Sequence, residues 1–460
     1  MPRNRASTVS KRAHSWPSSA AIPGARKQQQ RQSLRDRLFT EAGEKRYRTG
    51  THRTRTPSET LAALEPHLRR FGITRVANVT GLDRLGVPVY LAVRPNSRSL
   101  SVSQGKGLDA PSAKVSAIME SLEGHHAEFH RCACRIATRA QLLESLDSRE
   151  NGGGGVVDPL RLPRSRASGD LAHRPLVWTA GEDIRTGRAV WVPLETVDLD
   201  FTLPHAFEGS DLLRSSNGLA SGNTLAEAVL HGLVEVIERD ATGLMNLRPP
   251  DDWARARLNL STVSDPSAAR LLEQFERSDI ALSVWNVTTD IGVPAFTAII
   301  FDRTTDQLLK PWPPALGSGA HPDSGVALCR ALTECAQSRL TAISGSRDDA
   351  GRKAYAYNQS SEVIENHRSI AGEPEVLNFR DIQSCATSTI QGDLREILRR
   401  LDSRGLRQVV AIDLSSDRLP VSVARVIVPG LEGLEPEASA LGERGRALEE
   451  RLELRRRRRP

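Results

Sequence analysis

The sequence predicts a mixed α/β fold built from repeated strand–strand–helix units. Two observations carry this. "NVTGLDRLGVPVYLAV" (Asn78–Val93) and "NVTTDIGVPAFTAII" (Asn286–Ile300) share NVT, an aspartate, GVP and a following alanine. In both, β-branched residues flank a Gly-containing break, the pattern of a strand, a turn and a second strand. Each is then followed by a short Gly-rich stretch, Gly105–Gly107 or Gly317–Gly319, and by a helix that bears glutamate. Related halves converging on one site, within a single mixed α/β body, are the simplest arrangement.

A chain of 460 residues suffices for two or three ordinary domains or one large α/β unit. Its 38% hydrophobic and 26% charged residues suit a globular protein with polar tails. The formal charge of +7 is unevenly spread: residues 1–56 hold 14 Lys/Arg against 3 Asp/Glu, and residues 451–460 hold six Arg against one Glu. The body between is therefore acidic, which argues against nucleic acid as the main partner. Residues 1–48, rich in Arg, Ser, Gln and Pro, are expected to be a basic disordered tail, dispensable for ligand binding up to residue 45. Residues 49–432 are expected to form the body, and 433–460 a charged helix that frays into an Arg-rich tail. Asn151–Gly155 and the Pro/Arg/Ser mixture to Ser168 read as a surface loop.

Five cysteines (Cys132, Cys134, Cys329, Cys335, Cys385) are too few and too irregular for a disulfide framework, which points to a reducing cytoplasm. The Cys132/Cys134 pair has no second pair at zinc-ligand spacing, so it reads as incidental. No apolar run is long enough to span a membrane, and the N-terminus lacks the apolar stretch of a secretory signal.

The helix of "SNGLASGNTLAEAVLHGLVEVIERDA" raises the functional question. Ala226, Val229, Leu230, Leu233 and Ile237 recur at steps of three and four and form one apolar stripe. The same helix carries Glu227, Glu235 and Glu238. At 100° per residue, Glu227 and Glu238 point within about 20° of each other; Glu235 and Glu238 are surface neighbours, and Asn223 precedes Glu227 by one turn. A second helix, in "SAIMESLE", places Ser116, Glu120 and Glu123 at one-turn spacing; a third, in "RALTECAQSR", places Arg330, Glu334 and Gln337 on one face.

Singly, these features have structural explanations. Thr224 and Glu227 fit a helix capping box, and Glu235 and Glu238 have Arg239 as a pairing partner. Together they do not. Carboxylates about 5 Å apart repel by about 3 kcal/mol at an effective dielectric near 20, so several in one protected site need a cation. Mg²⁺ is the natural one, since it takes few carboxylates and completes its shell with water and phosphate. With Lys106 and Arg330 available for phosphate, the set describes a nucleotide site. "SVSQGKG" has Leu100 before it where a Walker motif needs glycine and ends in Gly107 where it needs Ser or Thr. No GxGxxG follows a strand, so a nucleotide binds here in some other fold. His125, His126, His231 and His321 lie near the motifs without the signature of a general base.

Three motifs in this order resemble the YcaO family, from about Arg46 to about Glu432: "SAIMESLE", "SNGLASGNTLAEAVLHGLVEVIERD" and "GVALCRALTECAQSRLT". The resemblance implies a fold whose acidic helices bind ATP through magnesium ions with no P-loop. Carried over, it implies that Glu120, Glu123, Asn223, Glu227, Glu235 and Glu238 act in Mg²⁺ and phosphate binding, the five glutamates as metal ligands. Lys106, Arg239, Arg330 and Glu334 would contact the nucleotide or its phosphates, with Ser116 and Gln337 in the same motifs. The family's Glu-Arg ending of the first motif is Glu123-Gly124 here, so one contact is missing or supplied elsewhere. "GSRDD" (Gly345–Asp349) and "ARVIVPGLE" (Ala424–Glu432) resemble the subgroup associated with TfuA proteins, and the Pro-rich ending of azoline-forming members is absent.

That resemblance implies ATP-dependent phosphorylation of a peptide backbone amide, giving a thioamide or an azoline in a ribosomally made peptide. It implies a peptide or protein substrate and a TfuA-like partner, and it admits a homodimer. The alternative is an accessory protein of the same fold that assists another modification, such as ribosomal-protein methylthiolation.

Overall fold

The N-terminal helix α1 (Leu34–Thr40) buries Leu38 in the central core, and the backbone N–H groups of Leu34 and Arg35 donate to the Glu182 carboxylate at 2.9 and 2.7 Å. A computed structural model describes residues 32–41, 43–130, 133–147, 154–166, 169, 171, 173–203, 211–303, 312–349, 351–372, 374–433 and 439–457. Residues 1–31, Cys132, parts of the loop expected over 151–168 and the last three residues lie outside them. Within the described residues the expected tail boundary at 48 moves: Lys45 forms a buried ion pair with Asp393 at 2.6 Å, and Tyr47 pairs with Arg53. Segment composition, dominated by Arg and Ser, hid the one-turn spacing of Leu34 and Leu38. Leu38→Ala is expected to cost about 2–5 kcal/mol. Thermal melts should show a chain starting at residue 34 as stable as the parent and one starting near Glu44 destabilised like Leu38→Ala. Equal stability of all three would contradict this packing.

After α2 (Pro57–Leu64), capped by a Thr56/Glu59 box, comes an antiparallel sheet of β1 (Arg75–Asn78), β2 (Val89–Val93) and β3 (Val102–Lys106). Helix α3 (Ala110–Glu128) follows, with Asp109 as its N-cap. The next segment supplies β4 (Cys134–Ala137), α4 (Arg139–Asp147), β5 (Gly155–Val156), β6 (Leu176–Asp183), β7 (Arg188–Pro193) and β8 (Leu219–Gly222). Helix α5 (Leu225–Asn246) leaves β8 with Thr224 as N-cap.

Then come α6 (Pro250–Ala256), β9 (Leu258–Asn259) and α7 (Pro266–Arg277). A second antiparallel sheet, β10 (Ile280–Asn286), β11 (Ala295–Asp302) and β12 (Ala315–Ala320), runs into α8 (Ser324–Ser344), capped by Asp323. The chain closes with α9 (Arg352–Asn358), α10 (Ser361–Ala371), β13 (Leu377–Asn378), α11 (Ile390–Ser403), β14 (Val410–Asp413), β15 (Ser422–Ile427) and α12 (Glu443–Arg457). The expected charged C-terminal helix is part of the body: Leu448 and Leu452 pack on Leu244, and Arg444 holds buried Asp240 at 3.0 Å.

The repeat is real but longer than the sequence shows. Each Gly-rich stretch is itself a third strand, so the unit is strand–strand–strand–helix. Glycine is needed there for close approach. A Cβ on Gly105 would stand 1.9 Å from Ala117 N in α3, and one on Gly317 would stand 2.3 Å from Ala331 O in α8. There is also a third such unit, permuted: β14, β15 and β8 are neighbouring antiparallel strands, and α5 follows β8. These three belong to a seven-stranded sheet ordered β5-β7-β6-β14-β15-β8, with β4 also on β6. The units close on one another, since α3 touches β8, α5 touches β12 and α8 touches β3. Residues 34–460 are one compact unit around this ring.

Candidate active site

Where the three helices face one another lies a cavity of about 1090 Å³. Lys106, Ser116, Glu120, Glu123, Asn223, Glu227, Glu235, Glu238, Arg239, Arg330, Glu334 and Gln337 all line it, so every residue singled out from the motifs reaches one wall. Helix geometry explains α5. Glu227, His231, Glu235 and Glu238 follow at intervals of four, four and three residues along one face, while Ala226, Val229, Leu233 and Ile237 bury the opposite face in the core. A mostly buried helix keeps its glutamates because they face this cavity.

The carboxylates differ in their partners. Glu227 is fully enclosed: Thr54 donates N–H and O–H to one oxygen, and Asn223 donates from N and Nδ2 to the other at 2.9 and 3.1 Å. Thr224 caps α5 by accepting from Glu227 N at 3.2 Å, but Glu227 answers Asn223 N, so the capping box is only half formed. Glu238 accepts from Ala320 N at 2.8 Å and stands 3.9 Å from Arg330 Nη2. Glu235 has Arg239 at 4.0 Å, Glu123 accepts from Ser221 Oγ at 2.5 Å, and Glu334 holds Lys106 at 2.5 Å. Gln337 donates to the Gln104 carbonyl at 3.4 Å.

Burial pushes Glu120 up to about 7, with Lys106 opposing and Glu235 and Glu334 adding to the rise. Glu120 is accessible from the cavity, yet protein walls enclose it there, which is why an accessible carboxylate still feels desolvation. Burial likewise pushes Glu123 to about 8, with Ser221 opposing and Glu120 and Glu235 adding, and pushes Glu235 to about 7, with Arg239 opposing and Glu238 adding. Glu238 is raised by burial despite Arg330. Glu334 also feels burial, but Lys106, Arg239 and Arg330 hold it below the usual range.

Several lining residues were not legible in the motifs. Arg53 and Arg55 come from the segment entering α2, and Arg347, Asp348 and Asp349 come from "GSRDD" just past α8. Asp348 accepts from Ser101 N at 2.8 Å, and Arg347 pairs with Asp349. Beside Gly124, where the resemblance leads one to expect arginine, a Cβ would stand 3.2 Å from Arg94 Nη2. Arg94 thus fills that space from just past β2, held by Glu128 and lining the same cavity. His231 faces Arg330, whereas His125 and His126 line a separate pocket with Phe71 and Phe129. His321 packs edge-on against His52.

Among the described residues no three His, Cys, Asp or Glu side chains stand ready-made as a metal cluster. The donor set nevertheless fits a hard cation that arrives with phosphate. Cavity-facing glutamates raised by desolvation and by one another keep this rise despite Lys106, Arg239 and Arg330, and oxygen is the only donor they present. Interleaved with them, Arg53, Lys106, Arg239 and Arg330 supply N–H donors for phosphate oxygens.

Residues 104–432 match the family described as "YcaO cyclodehydratase, ATP-ad Mg2+-binding". An uncharacterized protein in the tfuA 3' region of Rhizobium leguminosarum bv. trifolii is 40% identical over 82% of this chain and 88% of its own length. The fold is similar to that of YcaO from Methanopyrus kandleri bound with AMPPCP and Mg²⁺, at a TM-score of 0.66 and 24% identity over 87% of this chain and 99% of that one. It is also similar to a heterocyclase in complex with substrate and cofactor, at a TM-score of 0.67 and 22% identity, where 86% of this chain spans 55% of that one. The chain belongs to the YcaO family, a family described as ATP- and Mg²⁺-binding.

Proposed function

We propose that the chain activates a backbone amide of a ribosomally made peptide by ATP-dependent phosphorylation and that the product is a thioamide, with an azoline as the competing outcome. The observation that carries it is the lining of the cavity: carboxylates alternate with cations, and no activated nucleophile is among them. Cys329 lines the wall, but burial and then Asp265 push its thiol up, so it stays protonated. The reacting nucleophile therefore comes from outside the protein. In this reading it adds to the amide carbonyl, the oxyanion takes the γ-phosphoryl group as the β–γ P–O bond of ATP breaks and ADP is released, and the C–O bond then breaks with loss of phosphate and a proton. Hydrosulfide as nucleophile leaves C=S; a substrate Cys, Ser or Thr side chain leaves an azoline ring. Phosphoryl transfer needs positioning and charge stabilisation, which this lining can supply. Glu120, Glu123, Glu235 and Glu238 would hold Mg²⁺, with Glu227 more buried in protein contacts. Lys106, Arg239 and Arg330 would hold the phosphates.

A thioamide is favoured because Arg347, Asp348 and Asp349 of "GSRDD" line the cavity and the Rhizobium relative lies in a tfuA region, which also supports a TfuA-like partner. Among the described residues no helix is long and apolar enough to cross a membrane, in keeping with a peptide substrate met in the cytoplasm. The test incubates the protein with ATP, Mg²⁺, the TfuA-like protein, a sulfide source and the candidate peptide, and weighs the peptide. Exchange of oxygen for sulfur raises the mass and depends on sulfide; loss of water lowers it. Water loss without a sulfur-dependent gain overturns the thioamide, and no change of either kind favours the accessory role.

A further inference from the structure

His231 lies on the cavity face of α5, four residues after Glu227 and four before Glu235. Its Nε2 stands 3.0 Å from Arg330 Nη1 on α8. A guanidinium offers only donors, so Nε2 accepts and the ring proton sits on Nδ1. Burial, then Arg330 and Arg53, keep this imidazole well below its usual range, so it is uncharged at neutral pH. Glu238 is 3.9 Å from Arg330 Nη2, beyond hydrogen-bonding distance, and one of its oxygens already accepts from Ala320 N. The direct bond from α5 that orients this guanidinium is thus made by a neutral acceptor.

The difference matters for an anion site. A carboxylate at hydrogen-bonding distance would fix the guanidinium and cancel its charge together. An imidazole fixes the plane without adding a negative charge of its own beside the guanidinium. We propose that His231 is a positioning residue that aims Arg330 at the nucleotide phosphates as an uncharged hydrogen-bond acceptor. This rests on reading the cavity as the ATP site.

The test measures Mg-ATP binding to the full chain by calorimetry. His231→Leu, which removes the acceptor and keeps an apolar side chain, should bind about tenfold more weakly. His231→Gln, whose amide oxygen can accept from the guanidinium, should stay within about twofold of the parent. In an Arg330→Met background, the His231→Leu change should have no further effect, because the two residues act as one unit. Parent-like binding by His231→Leu overturns the proposal. So does an equal loss by Gln and Leu, or a His231→Leu loss that persists without Arg330, since each marks a space-filling role. A parent chain that binds no Mg-ATP removes the ATP-site reading and this inference with it.

Discussion

A Glu235→Ala protein is expected to bind Mg-ATP at least about tenfold more weakly than the parent, with little change in its binding of ATP in EDTA. The choice among the glutamates follows from their partners. Glu227 already takes four protein donors, so removing it should loosen Thr54 and the start of α5 before it affects a ligand. Glu235 has its cation only at 4.0 Å, and burial, with Glu238 adding, raises its carboxyl to about 7. Such a group gains most from an arriving Mg²⁺. Calorimetry of the folded variant with and without Mg²⁺ reads the difference. Equal Mg-ATP affinities would remove Glu235 from the metal set.

The melting temperature of the ligand-free chain is expected to fall by several degrees between about pH 7 and about pH 8.5, and Mg-ATP should narrow that fall. Glu120, Glu123 and Glu235 are raised from 4.5 to about 7, 8 and 7, burial being the main cause in each. A raised carboxyl means that the folded chain holds protons which the unfolded chain has lost. Stability from this source is full below about pH 4.5 and declines as pH rises through 7 and 8. His125, His231 and His321 are depressed, chiefly by burial, and work in the opposite direction, but their contribution is complete once the pH exceeds 6.5. The window above neutrality therefore isolates the carboxylates. Bound Mg²⁺ replaces the protons, so its stabilisation should grow with pH. A melting temperature flat across this window, or a Mg-ATP effect that shrinks with pH, would contradict the raised protonation of these three carboxyls.

Much of the site was legible because helices write their faces at short range. Glu227, Glu235 and Glu238, or Arg330 and Glu334, sit within a few turns of each other, and a 3.6-residue period reveals which share a side. The strands β3 and β12 were not legible as strands, since glycines that admit a helix backbone remove the β-branched signal. Nor was the third unit, because β14 and β15 lie far along the chain from β8, and pairing at such separation leaves no local pattern. The same holds for Thr54 on Glu227 and for Arg94 beside Gly124. At the N-terminus, the apolar pair Leu34 and Leu38 was lost in an average over a basic segment, although Leu38 is fully buried.

The permuted unit also sets the order in which the molecule can be made. Strand β8 finds its neighbour in β15, with Ala220 opposite Ala424, so the platform beneath α5 is incomplete until the chain has been synthesised through Ile427. During translation, α3 can settle on its own three strands soon after they leave the ribosome, while α5 must wait through all of the second sheet and α11. Pairings of such long range close slowly, because loop entropy is lost before the contacts form. The polypeptide therefore acquires its acidic cavity in one late event, and a nascent chain halted before β15 exposes the apolar stripe of α5 to chaperones and to aggregation.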